Sequence, residues 1–356
     1  MTEARDALAG AAPIGIDAQA LADWFAGHMA ARRGALLCTL IAGGHSNLTY
    51  RVEDSAGTRF ALRRPPLGTF PRSAHDVARE YRILKALQGS QVPVPKAHAL
   101  CTDSGVIGAP FYVMDFVEGT ILDRSSRVAA TLPDEAARRD AALHLVDALA
   151  ALHQVDVDAV GLGDLGPREH YLPRQLERLH GVWRQTKTRE LPLIDSLHER
   201  LARHCPPQRH TGLVHSDFRF GNVVLDTSHR IAAVLDWELC ALGDVLVDVG
   251  FLLDNWDEPG DAWPDVWMQP APTRAGGFPS RSEIAARYAA RCGYDVQTLD
   301  YYRAFCYWRI AVIAEGMKRR YETGAMSSHT VDSGELEKRV RERAGLADRF
   351  LRSAGL

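Results

Sequence analysis

The sequence predicts an α+β chain of two lobes, a small strand-rich one with one helix followed by a larger, mostly helical one. Three observations carry this reading. The length, 356 residues, suits about two domains or lobes with sizeable cores. Short apolar or alternating runs at 35–41, 48–53, 58–63 and 111–116 read as strands, with one helical period between the last two. From 134 onward helical periods dominate, broken by three very short β-branched runs. The boundaries that follow are an N-terminal helical extension over 1–34, a small lobe over 35–117 and a large lobe over 118–356.

The elements can be justified in order. Residues 1–15 are Ala-rich and read as a loose tail. Asp17 is placed to cap a helix running to about Arg33, with Leu21, Trp24, Phe25 and Met29 on one face. The runs 35–41 and 48–53 flank Gly43-Gly44-His45-Ser46-Asn47 and make a hairpin. Its glycines let backbone N–H groups approach phosphate oxygens, and Ser46 and Asn47 add donors. The same residues also make an ordinary turn. The third strand, 58–63, ends on Arg63. Ser73-Ala-His-Asp76 has the form of a capping box with Asp in place of Glu. The helix after it, about 74–88, puts Val77, Tyr81, Leu84 and Leu87 on one face and Glu80 at the border. Val92-Pro-Val-Pro95 ends the helical stretch and leads into a strand. Met114 sits in the run 111–116, and Glu118-Gly119 reads as a turn at the lobe boundary.

In the second half, 134–154 carries Ala141, Leu145, Leu149 and Leu152 at helical spacing. His144 and His153 on it read as structural. Gly161-Leu-Gly-Asp-Leu-Gly166 lacks the preceding strand that a phosphate loop needs. Residues 168–190 mix Arg168, Arg174, Arg178, Arg184, Lys187 and Arg189 with Glu169, Glu177 and Glu190, and Tyr171 and Trp183 are interleaved. Asp244 and Asp248 read as structural, one capping the next helix and the other bracing the loop before it. The acidic, Pro- and Gly-rich stretch 254–281 reads as a loop. Residues 282–292, 299–320 and 333–353 have helical periods, and no internal repeat is evident.

Composition narrows the class. A formal net charge of −3 with no basic domain argues against a nucleic-acid binder. Cys38, Cys101, Cys205, Cys240, Cys292 and Cys306 have no C-x-x-C spacing, so buried free thiols are expected rather than a zinc site or disulfide framework. No basic-then-apolar leader opens the chain and no run is long and apolar enough to span a bilayer. A soluble, cytoplasmic protein without membrane contact is expected.

The chemistry gathers at Val214-His-Ser-Asp-Phe-Arg-Phe-Gly-Asn-Val-Val-Leu-Asp226 and Ile231-Ala-Ala-Val-Leu-Asp-Trp-Glu238. Apolar runs alternate here with His215, Asp217 and Asn222 on a loop and Asp236 after the last run. Two short strands in a hairpin would bring Asn222 and Asp236 close together. His-x-Asp-x-x-x-x-Asn followed by an Asp beyond a short strand is the spacing of a kinase catalytic loop and its second metal ligand. A carboxylate orients a hydroxyl and takes its proton, and hard oxygen ligands hold magnesium against phosphates.

This block resembles the aminoglycoside phosphotransferase family of small-molecule kinases, which share the protein-kinase fold. Gly43-Gly-His-Ser-Asn-Leu-Thr-Tyr50, Phe60-Ala-Leu-Arg-Arg-Pro-Pro-Leu-Gly68, Arg79-Glu-Tyr-Arg-Ile-Leu84, Phe111-Tyr-Val-Met-Asp-Phe-Val-Glu-Gly119 and Asp236-Trp-Glu-Leu-Cys-Ala-Leu-Gly-Asp244 look like its branch associated with acyl-CoA dehydrogenases. The resemblance implies a two-lobed protein-kinase-like fold binding ATP and Mg2+. It makes Asp217 the base, with His215 bracing its loop, and Asn222 and Asp236 the metal ligands. It puts Arg63, paired with Glu80, on phosphate in place of the usual lysine, with Ser46 and Asn47 above the nucleotide and Met114 near the base.

Three functions stay open on the residues. One is a kinase acting on a hydroxyl of a small molecule such as a hydroxyacyl-CoA, with 168–189 as the surface for an anionic substrate: arginines would meet phosphates and aromatics stack on adenine. A solvated helix with ion pairs explains the same residues. The second is an aminoglycoside-type antibiotic kinase, with the acids of 254–265 meeting ammonium groups. The third is a catalytically idle nucleotide-binding partner of an acyl-CoA dehydrogenase.

Overall fold

The computed structural model describes residues 13–30, 34–42, 47–68, 76–261, 271–323 and 333–356. Two units separate by their internal contacts, Met1–Glu118 with Ala233–Glu238, and Gly119–Ala232 with Leu239–Leu356.

Strand alternation builds the smaller unit. β1 (Leu36–Ala42), β2 (Leu48–Asp54), β3 (Arg59–Arg64), β4 (Ala97–Cys101) and β5 (Phe111–Asp115) form one antiparallel sheet in the order β1-β2-β3-β5-β4. Leu48, Tyr50, Val52, Phe60, Leu62, Phe111 and Val113 fall on one face, because successive side chains point to opposite sides. Helix α1 (Ala18–His28) covers that face through Leu21 and Phe25, and Trp24 meets Phe111 edge-on at 4.7 Å. Full burial of side chains this size contributes about 1.5–3 kcal/mol each. The opposite face carries Arg63 and Tyr112, and both reach Glu80 on α2 (Val77–Leu87).

Two helix ends differ from the sequence reading. α1 begins at the Asp17 cap as expected, but it stops at His28, where Met29 N–H bonds back to Phe25 O. α2 starts at Val77 because Asp76 is itself the cap, accepting from Arg79 N at 3.0 Å. The expected Ser73 cap lies outside the described residues, as does the Gly43–Ser46 turn.

Helices dominate the larger unit. α3 (Glu135–His153) is capped by Asp134 and α4 (Tyr171–Thr186) follows. α5 (Pro192–Arg203) has proline at its first turn, where no donor is lost. β6 (Thr211–Val214) pairs antiparallel with β9 (Ala241–Asp244). Between them lie β7 (Val223–Leu225) and β8 (Ile231–Val234). α6 (Leu246–Asp254), α7 (Arg281–Cys292), α8 (Leu299–Glu322) and α9 (Ser333–Ser353) complete the unit. α8 is buried along most of its length, hence its weak amphipathic signal in sequence. Among the described residues no helix is long and apolar enough to cross a membrane.

Candidate active site

The smaller unit contributes a buried charge cluster. Arg63 on β3 is 9% exposed, and its Nε lies 3.0 Å from Glu80 Oε2. One terminal nitrogen pairs with Asp236 Oδ1 and sits 3.7 Å from Glu238 Oε2. A planar fork can meet three carboxylates at once, which a lysine's point charge does less well. Burial works against the Arg63 cation, but Glu80 and then the other acids outweigh it and hold its basicity above the usual arginine value. Glu80 also accepts from Tyr112 Oη at 3.1 Å and from Asn47 Nδ2. Asp236 stands at φ 65°, a left-handed backbone that is costly for a non-glycine residue and frequent at functional sites.

Asn47 is buried beside Glu80. Its amide nitrogen is committed to Glu80, and Oδ1 is buried without a hydrogen-bond partner. The bond to Glu80 uses one of the two amide N–H groups. Ser46 lies outside the described residues. Met114 is buried on β5 opposite Ala61 and Ala97.

Burial pushes the Glu80 carboxyl up from 4.5 to about 7, against the pull of Arg63. Between those values the folded protein holds a proton that the unfolded chain has lost. This contribution to stability is therefore fully present below the lower value and lost as pH rises through the upper one. Glu80→Gln is expected to flatten that part of the stability curve. Denaturant midpoints at about pH 5 and about pH 8 check it, and the same pH dependence in both proteins would refute the assignment.

The larger unit holds the loop after β6. His215 is fully buried, and Asp217 N lies 3.3 Å from its Nδ1. Ser216 stands at φ 71°, so this turn is also strained. The Asp248 carboxylate, in the first turn of α6, holds it there by accepting from His215 N at 2.6 Å and Ser216 N at 2.7 Å. His153 Nε2 lies 3.2 Å from Asp248 Oδ2, and His153 Nδ1 is 2.7 Å from Tyr288 Oη. Asp244 accepts from Leu246 N and from Tyr302 Oη, and burial pushes its carboxyl up to about 6. The expectation that both aspartates are structural matches this geometry.

Asp217 is fixed but reachable. Asn222 Nδ2 donates to its Oδ2 at 2.7 Å and to its backbone oxygen at 2.8 Å, and Arg219 Nε donates to Oδ1 at 3.1 Å. Its side chain stays 20% exposed. Since the Asn222 nitrogen is engaged, Oδ1 is the atom left for a cation. The Arg219 guanidinium lies against Gly221, where a Cβ would have to displace it. Sequence reasoning passed over Arg219, although it stands two residues after Asp217. It gave no role to Glu238, and nothing local signals Tyr288.

Two expected surfaces are corrected. In 168–190, Tyr171 and Trp183 are buried and cannot stack on a ligand's adenine. Arg168 pairs with Asp158, Arg189 with Glu315 and Lys187 with Glu190. Among the described acids of 254–261, Asp254 pairs with Arg303, Asp257 with Arg274, and Glu258 and Asp261 with Arg281. Those carboxylates are neutralised inside the protein and are not free for a cationic ligand.

The family model described as the phosphotransferase enzyme family matches residues 38–282. Acyl-CoA dehydrogenase family member 10 of Mus musculus is 35% identical over 306 residues, 85% of this chain and 28% of that protein. The chain spans 28–38% of the length of such curated relatives. A crystal structure from Ralstonia eutropha, provisionally assigned as an aminoglycoside phosphotransferase, is 32% identical with a TM-score of 0.79, covering 95% of this chain and 98% of that one. A thermostable mutant of aminoglycoside phosphotransferase APH(4)-Ia, in complex with AMP-PNP and hygromycin B, is 18% identical with a TM-score of 0.60. That match covers 94% of this chain and 97% of the other, and it speaks for the fold alone. The fold is the two-lobed kinase-like one, and the chain belongs to the phosphotransferase enzyme family.

Proposed function

We propose that the chain transfers the γ-phosphoryl group of ATP to a hydroxyl of a small acceptor. The observation that carries this is Asp217, held by Asn222 and Arg219 on a strained loop yet open to solvent. Its carboxylate orients the acceptor hydroxyl and takes the proton as the new O–P bond forms. The β,γ-bridging P–O bond breaks and ADP leaves. An idle nucleotide-binding role would not require this intact arrangement. In this proposal residues 35–117 serve the nucleotide, with Arg63, held by Glu80, on its phosphates, and 118–356 serve catalysis and the acceptor.

Magnesium belongs to the same proposal, with the two oxygen donors that the sequence spacing nominates as its ligands. Asn222 Oδ1 and the Asp236 carboxylate are hard oxygens, and Mg2+ typically takes one or two such ligands and fills the rest with waters and phosphates. When bound, the ion would neutralise charge developing on the phosphates. In this structure the Asp236 carboxylate is paired with Arg63. Asp236→Asn is expected to weaken magnesium-dependent AMP-PNP affinity roughly tenfold, about 1.4 kcal/mol. A magnesium titration unchanged from wild type would overturn the assignment.

For the acceptor, a hydroxyacyl-CoA is favoured. Its support is the relation to a protein named for acyl-CoA dehydrogenation, together with the acids of 254–261 being neutralised internally. Association with an acyl-CoA dehydrogenase, in the same polypeptide or as a partner, belongs to the same proposal. Phosphate appearing on an aminoglycoside but on no acyl-CoA would decide for the antibiotic-kinase reading.

A further inference from the structure

Two consecutive arginines end β3, and strand alternation sends their side chains to opposite faces of the small sheet. Arg63 meets three carboxylates. Arg64 is buried more deeply, at 4% exposure, yet among the described residues no carboxylate pairs with it. Its hydrogen bonds all go to backbone oxygens: Nε donates to Pro65 O at 3.2 Å, and Nη1 to Ile107 O at 2.8 Å and to Gly15 O. Nη2 is left over. Burial lowers the basicity of Arg64, whereas the acids around Arg63 raise that of its neighbour. Holding a cation this deep without a counter-charge is costly.

Arg64 lines a cavity of about 670 Å³ that lies wholly within the smaller unit. The chain after β3 (Pro65, Leu67), the first turn of α2 (Val77) and the loop between β4 and β5 (Ile107, Pro110) give it apolar walls. Asp76 also lines it, but that carboxylate is committed to capping α2. The guanidinium cannot swing away, because carbonyls from three separate segments hold it. One of these segments is fitted closely: Gly15 stands at φ 81°, where a Cβ would crowd Arg64 and Leu67, and Tyr50 Oη ties down Ile14 O at 2.6 Å. Apolar walls around one fixed polar group, at this volume, are the usual make-up of a small-molecule site.

We infer that this cavity binds an organic carboxylate with an apolar body, its oxygens on Arg64. The inference stands apart from phosphoryl transfer and does not rest on it. A carboxylate supplies the single negative charge that Arg64 lacks and accepts from a guanidinium at short range. A phosphate ester carries nearly two charges at neutral pH, and no second arginine or lysine lines the cavity to balance the other. The apolar body replaces water along the Pro65, Ile107 and Pro110 walls.

The test is calorimetric titration of the full chain without nucleotide, with octanoate, octanol, octylamine and octyl phosphate as probes. Octanoate is expected to bind at one site per chain. Octanol and octyl phosphate should bind about tenfold more weakly or worse, and octylamine not at all. Arg64→Gln is expected to weaken octanoate about tenfold or more. Because Arg64 also ties down Gly15 and Ile107, a second variant leaves it in place. Ala78 is half-buried in the cavity wall on α2, and Ala78→Trp fills the space. It is expected to abolish octanoate binding while the thermal unfolding midpoint stays within a few degrees of wild type. No octanoate binding in wild type, octanol bound as tightly as octanoate, or octanoate binding unchanged in either variant overturns the site. Octyl phosphate bound more tightly than octanoate overturns the choice of a carboxylate.

Discussion

Asp217→Asn is expected to lower turnover about 10^3-fold or more while nucleotide affinity stays within about threefold of wild type. Asparagine keeps the shape, and its oxygen can still accept from Asn222 Nδ2, now at 2.7 Å from Asp217. It cannot take a proton, and its nitrogen would face the Arg219 Nε donor that now lies 3.1 Å from the carboxylate. The ion pair with Arg219 is partly exposed and worth little to stability, so the folded state should persist. Steady-state kinetics beside AMP-PNP titration separates the two effects. Undiminished turnover would remove Asp217 from the chemistry.

The second large effect is expected at Asp248→Asn, and it should strike stability and turnover together. Both carboxylate oxygens are in use, one on Ser216 N and the other on His215 N and His153 Nε2, in a place with no solvent exposure. An amide offers one acceptor oxygen and sets N–H against the remaining backbone donor. Leaving a buried donor unpaired costs about 1–3 kcal/mol, and losing charge-assisted bonds adds to it, so a loss of about 2–4 kcal/mol is expected. Ser216 is held in its left-handed conformation by this carboxylate, so slackening it should also displace Asp217. Denaturant unfolding and kcat check the two halves. A stability within about 0.5 kcal/mol of wild type would contradict the bracing role.

Much of this was legible because the signals are local. The strands of the small sheet read from alternation, and the helices from period and from caps such as Asp17 and Asp134. The bond between Asp217 and Asn222, five residues apart, falls within the stretch that spacing singled out. What failed involves partners far away in the chain. The basic 168–190 segment looked like an open anion surface, but Arg189 meets a carboxylate 126 residues later. The acids after 254 looked free, but Asp254 meets Arg303, 49 residues on. His153 read as structural, and it is; yet its link to the loop at 215–217 runs through Asp248, 95 residues away, which no periodicity pairs with it. The cap of α2 was misplaced for a different reason: Ser73 and Asp76 both suit an N-cap, and only backbone geometry decides between them.

The most direct test of the central claim is incubation with Mg-ATP and a panel of hydroxyacyl-CoAs, free hydroxy acids, amino alcohols and aminoglycosides, read by mass spectrometry. The account predicts ADP and a phosphate ester on the hydroxyl of an anionic acceptor, a hydroxyacyl-CoA above all, and no product with Asp217→Asn. Bound nucleotide with no phosphorylated acceptor anywhere in the panel, or the same product formed by Asp217→Asn, would contradict it.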